Sequence, residues 1–183
     1  LTQVNEYLPD DIYDFKATDA LFRDGSVYIS TTEYGILKAN ATSPYQEIHP
    51  DGPLANDVFS IAVKGPNLWV VYGGYDATYT PTQREKGFSH FNGTSWVNTP
   101  FNPDFPVMDL NHISIDPNAE NKVYISSFGD TRAINSVATG GLLVVENDEI
   151  QNFYNQRNST LEDIVPQDPG RVTGRVSGTA FDD

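Results

Sequence analysis

Three short segments constrain this chain more than anything else in it: GSVYIS at Gly25 to Ser30, PNLWVV at Pro66 to Val71 and NKVYIS at Asn121 to Ser126. Each is a turn followed by apolar, aromatic and β-branched residues, so Val27, Leu68 and Val123 stand in register. Their surroundings repeat as well. Upstream lie TDALFRD (from Thr18), DVFSIAVKG (from Asp57) and LNHISIDP (from Leu110). Downstream come the glycine-led GILKAN (from Gly35), GFSHFNG (from Gly87) and GLLVVEND (from Gly141). YQEIHP (from Tyr45), SWVNTPF (from Ser95) and IQNFYNQ (from Ile150) close the units.

Runs of four to eight residues rich in Val, Ile, Tyr and Phe, separated by Asp-Gly, Asn-Gly, Gly-Pro and Asn-Asp, are the signature of antiparallel meanders. Only NSTLEDIV carries even a short helical spacing. Four strands recurring about every 40 to 55 residues is the period of β-propeller blades. A β-sandwich also has many short strands, but it does not require the same strand order and the same flanking glycines three times over.

The expected fold is therefore all-β: a β-propeller fragment of about three four-stranded antiparallel blades, at roughly 14–50, 57–101 and 109–156, within one domain. Partial blade strands are expected at 1–9 and 171–183. Three blades cannot close a propeller, which needs four to eight, and open edges invite pairing. The missing partners are expected from the rest of a longer parent chain or from a second copy. The start at Leu1, without a signal-peptide core, fits a mature or excised segment.

Composition narrows function. A formal charge of −14 repels nucleic-acid phosphates and anionic membranes. The absence of cysteine removes thiol catalysis, disulfides and cysteine-bound metals. The longest apolar run, Leu68 to Tyr72, is far short of the roughly 20 residues of a membrane-spanning helix. His49, His90 and His112 fall in separate repeats and form no ligand pair. No G-x-S-x-G elbow and no calcium loop is present. The sequence thus predicts no catalytic residue, no metal and no cofactor.

The segments NDVFSIAVKGPNLWVVYGG and GFSHFNGTSWVN resemble the two-component-regulator propeller repeat of the Bacteroidetes, and the region from Thr18 to Asp183 is most similar to PorZ-type propellers of the type IX secretion machinery. The first and third repeats depart from the pattern by lacking its tryptophan. The resemblance implies an exported, non-catalytic binding scaffold at the bacterial cell surface or in the periplasm. It also implies a sortase-like PorU partner and binding of lipopolysaccharide or glycan. The alternative is a glycan-sensing periplasmic ectodomain of a hybrid two-component kinase. In a bacterium the sequons at Asn40, Asn92 and Asn158 are turn chemistry rather than glycosylation sites.

Loop lengths locate the expected binding face. Turns at one end of the strands are tight (RDG, KGP, NGT, NDE), whereas the other end carries Tyr72 to Lys86, Asn102 to Met108, Phe128 to Thr139 and Arg157 to Gly170. Elaboration on one face points to recognition there. On it, Tyr75, Tyr79, Arg84 and Arg132 are the candidate ligand-binding residues, because aromatics and arginines dominate binding hot spots. Trp69 is expected between blades, Trp96 at the start of an outer strand, and Gly73 and Gly74 where positive φ or close approach is needed.

Overall fold

The computed structural model describes residues 15–32, 34–41, 43–48, 50–129, 139–162 and 174–182. Among these residues twelve strands run in chain order. They are β1 (Ala17–Arg23), β2 (Ser26–Thr31), β3 (Ile36–Asn40), β4 (Ser43–Ile48), β5 (Ser60–Lys64), β6 (Asn67–Val71), β7 (Phe88–Phe91), β8 (Trp96–Thr99), β9 (Leu110–Ile115), β10 (Lys122–Ser127), β11 (Gly141–Glu146) and β12 (Glu149–Tyr154). They form three four-stranded sheets, each a meander in which every neighbour is antiparallel. Among the described residues the fold is all-β, with three propeller-like four-stranded blades and no closed barrel. The described part of NSTLEDIV, residues 158–162, is not helical.

Turn chemistry sets these registers. Asn147 and Asp148 both have positive φ (53° and 66°) between the paired residues Glu146 and Glu149. Asp24 and Gly25 repeat the pattern (49° and 76°) between Arg23 and Ser26. Two left-handed residues make the hairpin turn whose twist matches that of the strands. β4 starts at Ser43, earlier than the segment from Tyr45 suggests. Pro44 falls on an edge strand, where a missing N–H costs no ladder bond.

Two compact units divide the described chain, residues 1–52 and 53–183. In the first, β1 is exposed along its whole length, while Leu37 on β3 is fully buried. The second holds the sheets β5–β8 and β9–β12 with one apolar core between them. Trp69, Val71 and Phe88 from one sheet meet Leu110, Ile113, Val123, Ile125, Leu143, Val145 and Phe153 from the other. Strand alternation explains the choice: Ala62 packs on this core, whereas Ile61 and Val63 point the other way and are exposed. Each fully buried aliphatic side chain contributes about 1.5–3 kcal/mol.

Residues 174–182, expected to open a further blade, carry no strand. They lie against the third sheet through Val176 N to Ser127 O (3.0 Å), Asn111 Nδ2 to Val176 O (3.1 Å) and Ser114 Oγ to Thr179 O (2.7 Å). Two of these three bonds come from side chains, so no backbone ladder forms. The segment at 1–9 lies outside the described residues.

Candidate functional site

The long β6–β7 connection folds into a lobe of its own. Tyr75 and Pro81 form an isolated antiparallel bridge, Asp76 N donates to Thr80 O (2.9 Å), and Thr82 N donates to Gly74 O (3.1 Å). At its tip Asp76 Oδ1 accepts from Thr78 N (2.8 Å), Thr78 Oγ1 (2.7 Å) and Thr80 N (3.0 Å). The hydrogen bond from the Thr78 hydroxyl, followed by those from the Thr80 and Thr78 amides, holds the Asp76 carboxyl below its ordinary range.

Asp109, the residue before β9, ties this lobe down from the next sheet. Its carboxylate is fully buried. Oδ1 accepts from Thr82 Oγ1 (2.7 Å), Arg84 N (2.9 Å) and Gly74 N (3.3 Å), and Oδ2 accepts from Gln83 N (2.8 Å). Asp109 N also donates to Arg84 O (3.0 Å). A buried carboxylate is tolerated because N–H and O–H donors surround it. The close approach needs both glycines that precede Tyr75. A Cβ on Gly73 would run into the Asp109 backbone, and one on Gly74 (φ +134°) would lie 2.5 Å from the Phe59 ring.

The lobe presents aromatic rings. Tyr75 is half-buried and stacks on Tyr79, with centroids 5.1 Å and planes 25° apart. It also touches Phe59 edge-on at 5.3 Å and Phe128 at 4.7 Å. Arg175 lies over the far ring of this row, Phe128, at 4.5 Å. Tyr79 is 68% exposed and has φ of +59°. A bulky side chain in the left-handed region is strained and persists only where the surroundings enforce it. Here the Asp76 turn enforces it. The result is a tyrosine pair, fixed from below and open to solvent above.

Of the residues expected to bind, Tyr75 and Tyr79 are thus brought together. Arg84 sits on the same lobe with its guanidinium ion-paired to Asp57, both side chains partly exposed (41% and 44%). Arg132 lies outside the described residues.

A second cluster joins the two sheets at their tight-turn end. His90 of β7 is buried, with Nδ1 2.6 Å from Asp148 Oδ1 and Nε2 2.9 Å from Asn67 Oδ1. The imidazole lies flat on Trp69, with centroids 3.9 Å and planes 5° apart. His90 and Asp148 are too far apart in sequence to suggest a pair; only the packing of sheet on sheet brings them together. His112 lies on β9 3.5 Å from Ser114 Oγ, and His49 is outside the described residues. Among the described residues no group of three or more acidic or histidine side chains could hold a metal, and no helix is long and apolar enough to cross a membrane.

Among the described residues, four-stranded antiparallel meanders arranged as propeller-like blades define an all-β, propeller-like class of fold. Comparison with solved structures agrees at the level of the fold. The chain is similar to PorZ, described as an essential bacterial surface component of the type IX secretion system of Porphyromonas gingivalis. The TM-score is 0.56 at 15% identity, over 81% of this chain and 19% of PorZ. The chain therefore spans about a fifth of the length of that protein. It is also aligned with the extracellular domain of a hybrid two-component system from B. thetaiotaomicron, at 14% identity over 94% of this chain and 31% of the other, with a TM-score of 0.22 that carries no argument. No family model and no curated protein matches the sequence.

Proposed function

We propose that this chain is part of a non-catalytic propeller scaffold exported to the bacterial cell surface or periplasm, and that its β6–β7 lobe docks a protein partner. The observation that carries the reading is the exposed, stacked Tyr75–Tyr79 pair, built on a strained backbone and anchored by a buried aspartate. Rigid tyrosines give large contact area at little entropic cost, which is why they recur at binding hot spots. The fold-level likeness to PorZ supports a place in type IX secretion, with a sortase-like PorU-type protein as partner. Lipopolysaccharide is the second candidate, and a formal charge of −14 disfavours an anionic surface. The sensor-ectodomain alternative gains nothing from a TM-score of 0.22.

The test is surface plasmon resonance of the chain and its Tyr79→Ala variant against a purified PorU-type sortase and against lipopolysaccharide. Sortase binding weakened about tenfold or more by Tyr79→Ala is the expected result, equivalent to about 1.4 kcal/mol at a hot spot. Sortase binding indifferent to Tyr79, or binding to lipopolysaccharide alone, would sink this reading.

A further inference from the structure

The aromatic row beside the β6–β7 lobe already holds one cation. The guanidinium carbon of Arg175 lies 4.5 Å from the centroid of Phe128, Phe128 touches Tyr75, and Tyr75 stacks on Tyr79. A guanidinium settles over an aromatic ring because the ring face is electronegative and the guanidinium is weakly hydrated. Phe128 is buried, so the chain itself closes that end of the row. Tyr79, at the other end, has one face on Tyr75 and turns the other to solvent. Its left-handed backbone is fixed by Tyr79 N donating to Asp76 O (3.0 Å). Asp76 belongs to the same turn, and its Oδ1 takes all three hydrogen bonds from Thr78 and Thr80, while Oδ2 meets no donor among the described residues. The lobe's own guanidinium, on Arg84, is already ion-paired with Asp57.

From these contacts we propose that the open face of Tyr79 receives an arginine side chain of the docking partner, repeating at the free end of the row the contact that Arg175 makes at the closed end. Resting on the reading of the lobe as a protein-docking surface, this contact specifies what the partner carries there. A tyrosine ring is at least as good a seat for a cation as the phenylalanine that Arg175 occupies. A guanidinium stacked on a ring still has N–H donors to satisfy, and the Asp76 carboxylate in the same turn keeps an oxygen for them. Lysine is the weaker occupant, because an ammonium is strongly hydrated and gives up more on stacking. An acidic segment would meet Asp76 on a chain of formal charge −14 and is disfavoured. A purely apolar segment could use the rings but would gain nothing from Asp76.

The probe is the blocked peptide Gly-Arg-Gly, titrated into the whole chain while the Thr78 amide and the Tyr75 and Tyr79 ring signals are followed by NMR. Peptides with citrulline, lysine, proline or glutamate at the centre serve as comparisons; citrulline keeps the shape of arginine without its charge. The arginine peptide should shift these signals saturably, with a Kd in the millimolar range and about threefold or more tighter than the citrulline peptide. Raising NaCl from about 0.05 M to about 0.5 M should weaken it further. Tyr79→Asn removes the ring with a residue that tolerates the left-handed backbone, and should weaken binding about fivefold. Asp76→Asn keeps an oxygen for the turn and drops the charge, and should weaken it about threefold. No saturable shift with the arginine peptide would overturn the proposal. Equal binding of the citrulline, proline or glutamate peptide would do the same, as would binding indifferent to Tyr79→Asn. Unchanged Thr80 amide and Phe128 ring signals in each variant separate lost binding from a lost turn. Arginine-peptide binding without sortase binding would remove the proposed partner and keep this contact, whereas sortase binding that needs Tyr79 without any preference for arginine would keep the docking lobe and overturn this contact alone.

Discussion

The second and third sheets carry an aspartate at the same place in the repeat, Asp57 and Asp109, each five residues ahead of the position paired with the aromatic of the following strand (Ala62 with Trp69, Ser114 with Tyr124). Their fates differ. Asp109 is fully buried among amides and a hydroxyl, and Asp57 is 44% exposed and paired with Arg84. The side chain is identical and so is the local sequence logic. The loop after β6 folds over Asp109 and supplies its donors, whereas Asp57 pairs with the Arg84 guanidinium. In a repeat protein, a residue's role is set by the preceding unit as much as by its own.

That contrast can be pressed experimentally, starting where the effect is greatest. Trp69→Ala removes the largest side chain of the shared core and should cost about 4 kcal/mol in urea unfolding, against a clearly smaller loss for Tyr124→Ala at the matching but half-buried position. Equal losses would mean that the two sheets contribute alike to the core. Next, Asp109→Ala strands three backbone N–H groups and the Thr82 hydroxyl, an expected loss of about 3 kcal/mol, while Asp57→Ala should cost under about 1 kcal/mol, as exposed ion pairs do. If Asp57→Ala proved as costly as Asp109→Ala, the comparison would fail. Third, Gly74→Ala forces a Cβ against Phe59 at φ +134°. It should destabilise the lobe by about 1–3 kcal/mol and broaden the Tyr75 and Tyr79 ring signals; Gly25→Ala carries only the strain of its own left-handed φ (+76°), with nothing within 4 Å of the added Cβ, and should leave those ring signals unchanged. The smallest effect belongs to Asp76. Its carboxyl titrates lower folded than unfolded, so its contribution is present above about pH 3.8 and fades as pH falls through the depressed folded value. The Thr78 and Thr80 amide signals should therefore move on acidification below that point. Movement complete well above it would contradict the hydrogen-bonded turn.

The strands were legible because a two-residue alternation and paired turn residues are local signals. Val123, Ile125, Leu143 and Val145 announce a core face, and Asn147-Asp148 announces a hairpin. The tyrosine lobe was legible as a long loop rich in aromatics, but not its geometry. Arg84 reads in sequence as a free cation for a partner, and only the fold puts Asp57 against it. Asp109 reads as one more turn aspartate, because its donors lie 25 to 35 residues away. His90 likewise reads as an isolated strand histidine, with its carboxylate 58 residues on. Such contacts arise from the packing of one sheet on the next, and no local pattern encodes them.

The anchoring of the β6–β7 loop by Asp109 bears on how such proteins can be recombined. A blade copied elsewhere with its loop but without the blade that follows would deliver the right tyrosines on the wrong support. Duplication, shuffling or grafting would keep this surface only when the junction travels whole, with Gly73 and Gly74 on one side and Asp109 on the other. For this face of the molecule, the heritable unit is the seam between two repeats rather than either repeat.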